Sequence, residues 1–256
     1  MKIIALTNQK GGVAKTTTAL TLAAGLAERG RRVLMVDMDA QSNLSLAAGV
    51  NLFDMPYTLY DVFKGTVPDG LPGIIQEVKP GLNIVTSGLK MASADMDFTQ
   101  MGREYMLKNE LATVSGSYDY AVIDTPPTLG VATMNALAAA DEIIIPTTAD
   151  VFALQGISQL NGFVQNVRKY CNPGLKVAGL LLTRYNGRTN IAKALEDTIA
   201  RAAEQLNTKV FKTRVRQSVT VMETQLQRIN LFEAAPGTPV AADYKEFIDE
   251  YMKGAE

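Results

Sequence analysis

Nine residues near the amino terminus carry the densest chemistry in the chain: Gln9-Lys10-Gly11-Gly12-Val13-Ala14-Lys15-Thr16-Thr17. They lie between an apolar run, Lys2 to Thr7, and a segment in which Ala19, Leu22, Ala23 and Leu26 recur at helical spacing. Glycines let a backbone wrap a polyphosphate closely, and free amides at the start of the following helix point at the anion. In such a loop Lys15 neutralises the β and γ phosphates and the Thr16 hydroxyl ligates Mg²⁺. The pattern G-x-x-x-x-G-K-[ST] is not met in full, because Gln9 stands where its first glycine belongs and Ala14 where its last does. A methyl group at Ala14 costs little if the backbone has negative φ and much if it does not. The competing reading is a glycine-rich strand-to-helix turn that binds nothing.

Two further segments end in carboxylates: Val33-Leu34-Met35-Val36-Asp37-Met38-Asp39-Ala40-Gln41-Ser42-Asn43, and Ala121-Val122-Ile123-Asp124-Thr125-Pro126-Pro127. An Asp at a strand end is often only a turn or helix cap. The carboxyl ends of parallel strands converge on one crevice, however, so Lys15, Asp39 and Asp124 are expected to share it. Phosphoryl transfer asks for a held and neutralised γ-phosphate and a water placed in line. Asp39 suits the positioning of that water, Asp124 the Mg²⁺ shell and Asp37 the organisation of the segment between them.

Composition narrows the chemistry from the other side. The 256 residues include no histidine and one cysteine, Cys171. Ser-His-Asp and Cys-His nucleophile systems and His-bearing metal sites are thereby excluded, and no internal disulfide can form. No apolar run approaches the roughly 20 residues of a membrane-spanning helix. A cytoplasmic protein is expected.

The elements that must position these residues follow from the pattern of apolar runs. Strands are expected at Lys2 to Thr7, Arg32 to Asp37, Leu82 to Thr86, Tyr120 to Asp124, Glu142 to Pro146, Lys176 to Thr183 and near Val210. Most lack alternation, as strands buried on both faces do. Helical segments separate them, so the fold class is α/β: one domain over residues 1–256, a mostly parallel twisted sheet with helices on both faces. Residues 49–81, with Pro56, Pro68, Pro72 and Pro80, read as an irregular excursion at the sheet's edge carrying a short helix near Leu59 to Lys64. Over 239–256, Tyr244, Phe247, Ile248, Tyr251 and Met252 form one apolar helical stripe suited to packing on the core.

Lys10-Gly11-Gly12-Val13, followed by Lys15-Thr16-Thr17, resembles the deviant Walker A motif K-G-G-x-G-K-T-T of the ParA/MinD family of ATPases, with Ala14 the single departure. Asp37 to Asn43 resembles the family's D-x-D-x-Q-x-N switch, and Ala121 to Pro127 its Walker B strand. Ile145 to Asp150 with Ala153 to Gly156, Leu181 to Arg184, Arg188 to Asn190, and Glu223 to Gln225 with Pro239 and Tyr244 are similar to further family segments. The resemblance implies a P-loop NTPase fold, ATP and Mg²⁺ as cofactors, and phosphate contacts from Lys10, Gly11, Gly12, Val13, Ala14, Lys15, Thr16 and Thr17. It places Thr16, Asp39 and Asp124 around the metal, and gives Lys10 a role across an ATP-sandwich homodimer on the partner's phosphates. A solvated loop lysine is the plainer reading of Lys10. Adenine contacts fall at Arg216 and Ser218, although the family's I-P-R-N is here Val215-Arg216-Gln217-Ser218. The first strand, starting at Lys2, makes the chain similar to compact ParA proteins without an N-terminal helix-turn-helix.

Near-neutral overall charge, 25 Lys+Arg against 26 Asp+Glu, conceals a segregation. Between Leu160 and Asn230 stand 12 basic residues and four acidic ones. Such a segment suits salt-sensitive binding to phosphate backbones, although solvated helix faces are its ordinary meaning. Lys212, Arg214 and Arg216 alternate and share a face if extended. The resemblance implies a nucleoid-associated, non-specific double-stranded DNA binder whose hydrolysis a ParB-like partner stimulates, with Arg188, Arg214, Arg216 and Arg228 as candidate contacts. The acidic final helix, with Asp243, Glu246, Asp249 and Glu250, argues against a membrane partner. Two other functions fit the same scaffold: an ATP-dependent carboxylate-activating enzyme similar to dethiobiotin synthetase, and a regulatory switch that binds ATP without turnover.

Overall fold

The unalternating Val, Ile and Leu runs form one eight-stranded sheet in the computed structural model, which describes residues 1–150, 153–187 and 190–254, with the backbone alone at 153–154 and 190–194. The strands are β1 (Lys2–Leu6), β2 (Val33–Asp37), β3 (Gln76–Lys79), β4 (Leu82–Val85), β5 (Tyr120–Asp124), β6 (Glu142–Thr147), β7 (Lys176–Tyr185) and β8 (Val210–Arg216). Their order is β3-β4-β2-β5-β1-β6-β7-β8, and every neighbouring pair is parallel except β3 with β4.

The helices are α1 (Lys15–Glu28), α2 (Asn43–Ala47), α3 (Leu59–Phe63), α4 (Ala94–Asp97), α5 (Met106–Thr113), α6 (Val131–Ala139), α7 (Ala153–Tyr170), α8 (Asn190–Gln205), α9 (Val219–Gln227), α10 (Leu231–Ala234) and α11 (Pro239–Lys253). They cover both faces of the sheet. One apolar cluster joins Ile4, Leu6, Met35 and Val122 to Leu22 and Leu26 of α1 and to Tyr244, Phe247 and Ile248 of α11. The other joins Leu34, Val36 and Ile123 to Leu107, Ala136 and Leu160. Helices α1 and α11 approach so closely that a Cβ at Gly25 would lie 2.3 Å from Ile248 Cδ1. No helix among the described residues is long and apolar enough to cross a membrane.

One strand was not expected. Gln76–Lys79 lies inside the segment read as irregular, and pairs antiparallel with β4 at the margin of the sheet. Of its four residues, Gln-Glu-Val-Lys, Val78 alone packs against the core and none is fully buried, so no hydrophobic pattern announces them. The 3₁₀ turns at Leu52–Asp54 and Leu71–Ile74 and helix α3 fill the rest of that excursion. The opposite margin is β8. Its pairing with β7 shifts register around residues 210–214, and Glu250 of α11 accepts from the Lys212 and Thr213 amides at 2.7 and 2.9 Å. Asp243 takes the Arg216 amide at 3.0 Å.

A candidate nucleotide site

The sheet order places β2, β5 and β1 side by side, and their carboxyl ends carry the three motifs. In register, Asp124 stands opposite both Leu6 of β1 and Asp37 of β2. From Leu6 the chain runs through Thr7 and Asn8 into the glycine loop. The Asn8 side chain anchors the loop's entry, its amide donating to the Pro146 carbonyl at 2.8 Å while its Oδ1 accepts from the Lys10 amide at 2.9 Å.

Gly12 and Ala14 both adopt left-handed backbone, at φ +74 and +60. Ala14 starts α1, with its carbonyl accepting from Thr18 N at 2.9 Å, and no side chain caps the helix. The first amides of a 14-residue helix are thus left for an anion, which is the geometry a phosphate needs. The methyl group of Ala14 stands where glycine is favoured. Ala14→Gly is therefore expected to stabilise the ligand-free protein by about 0.5–1 kcal/mol, a left-handed alanine costing more than the added freedom of glycine in the unfolded chain. A thermal melt should rise by about 1–3 °C, and a fall would mean that Ala14 is not held in this conformation.

Lys15 turns back beneath the loop and donates to the Lys10 carbonyl at 3.2 Å. It is 8% exposed, and burial lowers its pKa against the pull of Asp124 and Asp39, which raise it. Asp124 is buried and accepts from the Thr16 hydroxyl at 2.6 Å. Burial first, then the neighbouring charge of Asp37, pushes its pKa up to about 8. Asp37, fully buried, is pushed up to about 6 by burial, against the bonds it accepts from Ser45 N at 2.9 Å, Ser45 Oγ at 2.7 Å and Asp39 N at 3.1 Å. Those bonds tie the end of β2 to α2. Asp39 in turn accepts from Gln41 N at 3.0 Å and lines a cavity of about 880 Å³ with Gly11, Gly12, Lys15, Thr16 and Pro127.

Acidic side chains forced into one buried crevice are a site for a cation. Asp124 Oδ1 is buried and has no hydrogen-bond partner, while its other oxygen holds the Thr16 hydroxyl. No cluster of three or more His, Cys, Asp or Glu side chains shaped to enclose a metal occurs among the described residues. The unpartnered oxygen fits Mg²⁺, which takes one or two protein carboxylates and completes its shell with phosphates and water. Thr16 and Asp124 are the residues placed to hold it.

Lys10 has a different position. Its ammonium pairs with Asp150 and bonds Thr148 Oγ1 at 3.1 Å, and it lines a second cavity of about 300 Å³ with Arg184 and Gln217. A third cavity, of about 310 Å³, opens on the far side of Ala14 and Thr17. Its walls are Val215, Arg216, Ser218, Val221, Met222 and Tyr244, apolar surface of the kind a nucleobase needs. Arg216 and Ser218 both reach it, although the Ser218 hydroxyl caps α9 by accepting from Thr220 N at 3.2 Å.

The four arginines considered for DNA do not share one condition. Arg214 and Arg216 lie on the outer face of β8, as the alternation requires. There Arg216 grips Asp243 through two bonds of 2.7 Å and Arg214 pairs with Glu196 at 3.2 Å. Arg228 is exposed, in left-handed backbone at the end of α9. Arg188 lies outside the described residues. Side chains to which the sequence attached no role also converge on the loop: Thr183 and Arg184 from the end of β7, and Gln225, which donates to Thr17 Oγ1 at 3.0 Å. The first two follow a strand on the sheet's carboxyl edge, which was a usable signal. Gln225 belongs to a segment, Glu223 to Gln225, that is similar to a family one, but nothing there names Thr17 as its partner.

A parallel sheet with a glycine loop, an uncapped helix and acidic strand ends gathered at its carboxyl edge defines a P-loop nucleotide-binding protein. The family model described as "AAA domain" matches residues 1–177. The sporulation initiation inhibitor protein Soj of Bacillus subtilis is 38% identical over 223 residues, covering 87% of this chain and 87% of Soj. The chromosome partitioning protein ParA of Myxococcus xanthus is 37% identical over 228 residues, 87% of this chain and 77% of that protein. Among solved structures, cobyrinic acid a,c-diamide synthase from Mycobacterium smegmatis with bound ADP and magnesium superposes with a TM-score of 0.85 at 31% identity, covering 100% of this chain and 97% of that one. The chain belongs to the ParA/MinD family of P-loop ATPases.

Proposed function

We propose that the protein is a DNA-partitioning ATPase of the ParA type. ATP closes two copies into a dimer that binds double-stranded DNA without sequence preference, and a ParB-like partner stimulates hydrolysis and release. The observation that carries this reading is the division of labour between two lysines. Lys15 lies inside the phosphate cavity, whereas Lys10 lies at its margin on Thr148 and Asp150 and lines a separate cavity. A cation outside its own phosphate cradle is suited to the phosphates of a second copy, in the manner of an arginine finger supplied in trans.

In this reading Thr16 and Asp124 would hold Mg²⁺, which would supply neutralisation of charge on the phosphates. Asp39 orients the attacking water, and Asp37 keeps the β2–α2 connection in shape through Ser45. Arg228 and Lys212, exposed on the basic segment, are the first candidates for DNA. Arg214 and Arg216 have to leave Glu196 and Asp243 to join them. Retention on DNA is expected with ATP, and not with ADP or without nucleotide. It should fall at least about tenfold when salt is raised threefold, because several phosphate contacts release counterions together. Equal retention in all three nucleotide states would sink the proposal.

The likeness to the mycobacterial synthase favours one second reading, a carboxylate-activating enzyme. That enzyme would consume ATP only when given a small carboxylic acid with a nitrogen donor, and would show no nucleotide-dependent hold on DNA. The same experiment separates the two.

A further inference from the structure

Two consecutive residues at the end of β7 hold two consecutive carbonyls of the phosphate loop. Thr183 Oγ1 donates to the Val13 carbonyl at 3.0 Å, sharing its single proton with the Thr147 carbonyl at 3.2 Å. Arg184 Nη1 donates to the Gly12 carbonyl at 2.9 Å. Arg184 does so from left-handed backbone, φ +49, a conformation that non-glycine residues adopt at a cost and that persists where the surroundings hold it.

Among the described residues there is no cis peptide bond. Across a trans peptide the carbonyl of one residue and the amide of the next point in opposite directions. Drawing the Gly12 carbonyl outward to Arg184 therefore turns the Val13 amide inward, and drawing the Val13 carbonyl to Thr183 turns the Ala14 amide inward. We propose that Thr183 and Arg184 are positioning residues that aim the Val13 and Ala14 amides at the phosphates of the bound nucleotide. The proposal rests on the loop's being the nucleotide site, and adds to it a part of the chain about 170 residues away in sequence.

Arg184 acts here through a hydrogen bond to the backbone and not through its charge. Gly12 suits the arrangement, because its φ of +74 favours glycine. Thr183 is buried, so its hydroxyl is the polar group within reach of the Val13 carbonyl on that side.

The test is ADP affinity in the presence of Mg²⁺, measured by titration calorimetry on the full chain, beside the melting temperature of the ligand-free protein. Arg184→Ala and Thr183→Val are each expected to weaken ADP about tenfold, the scale of one lost hydrogen bond. Arg184→Gln, which keeps a donor and loses the charge, and Thr183→Ser, which keeps the hydroxyl, should stay within about threefold of the wild type. The ligand-free melting temperature of Arg184→Ala should not move with its affinity. Wild-type affinity in Arg184→Ala would overturn the proposal, as would an Arg184→Gln protein as weak as Arg184→Ala. If Thr183→Val fails to fold, the Arg184 pair decides alone. Failure of the wild-type chain to bind ADP would remove the nucleotide site itself, a result distinct from any of these.

Discussion

Replacing Lys15 by alanine is expected to abolish nucleotide binding for practical purposes, with ADP affinity falling at least about a hundredfold, or about 3 kcal/mol. The side chain lines the phosphate cavity with Asp39 and feels the charge of Asp39 and Asp124, and burial has already stripped much of its water. A charge-assisted bond from such a group to a phosphate is worth roughly 1.5–3 kcal/mol by itself. Its removal also leaves the crevice without the cation that offsets its aspartates. The ligand-free fold should tolerate the change, because the bond lost is a long one, 3.2 Å to the Lys10 carbonyl. Affinity within about threefold of the wild type, in a protein that melts normally, would mean that the loop is not the phosphate cradle.

Asp39→Ala should separate binding from turnover. Its carboxylate faces the 880 Å³ cavity and accepts from one amide of its own turn, Gln41 N. Truncation therefore leaves the scaffold of Asp37 and Ser45 in place. Hydrolysis is expected to fall by about 10²–10³-fold, the usual scale for losing a group that positions or polarises the reacting water. ADP affinity should stay within a few fold, and the proposed ATP dimer should accumulate on DNA. A wild-type hydrolysis rate would strike Asp39 from that role. Asp37→Ala is not an equivalent experiment, because three bonds from Ser45 and Asp39 end on that buried carboxylate and their loss would disturb the whole segment.

Much of this architecture was legible in the sequence because parallel strands buried on both faces have to be written as apolar runs. β1, β2, β4, β5, β6 and β7 fall where those runs lie, and β5 matches its expected ends. β3 escaped for the converse reason: a polar edge strand is defined by the neighbour it pairs with, not by its own residues. The site divides in the same way. Lys15, Thr16, Asp37, Asp39 and Asp124 belong to contiguous motifs, and the convergence of strand ends brings them together. The left-handed state of Ala14 could be posed as a question but not answered, because φ is set by the closure of the whole loop. The alternation of Lys212, Arg214 and Arg216 correctly implied a shared face. What it could not reveal was that Glu196 and Asp243 reach that face from α8 and α11 and pair with both of its arginines. Thr183, Arg184 and Gln225 stand in segments similar to family ones, but their contacts could not be read there, since those depend on which loop each side chain touches.

The capped margin of β8 bears on how copies of this protein can meet. A sheet ordinarily invites another strand along any edge whose amides are free. Here the Lys212, Thr213 and Arg216 amides already end on Glu250 and Asp243, so an approaching strand would have to evict two carboxylates from their own helix to form its ladder. Fibre-like growth through this side is thereby discouraged, which is compatible with the proposed ATP dimer's forming elsewhere, on the surface that bears the nucleotide.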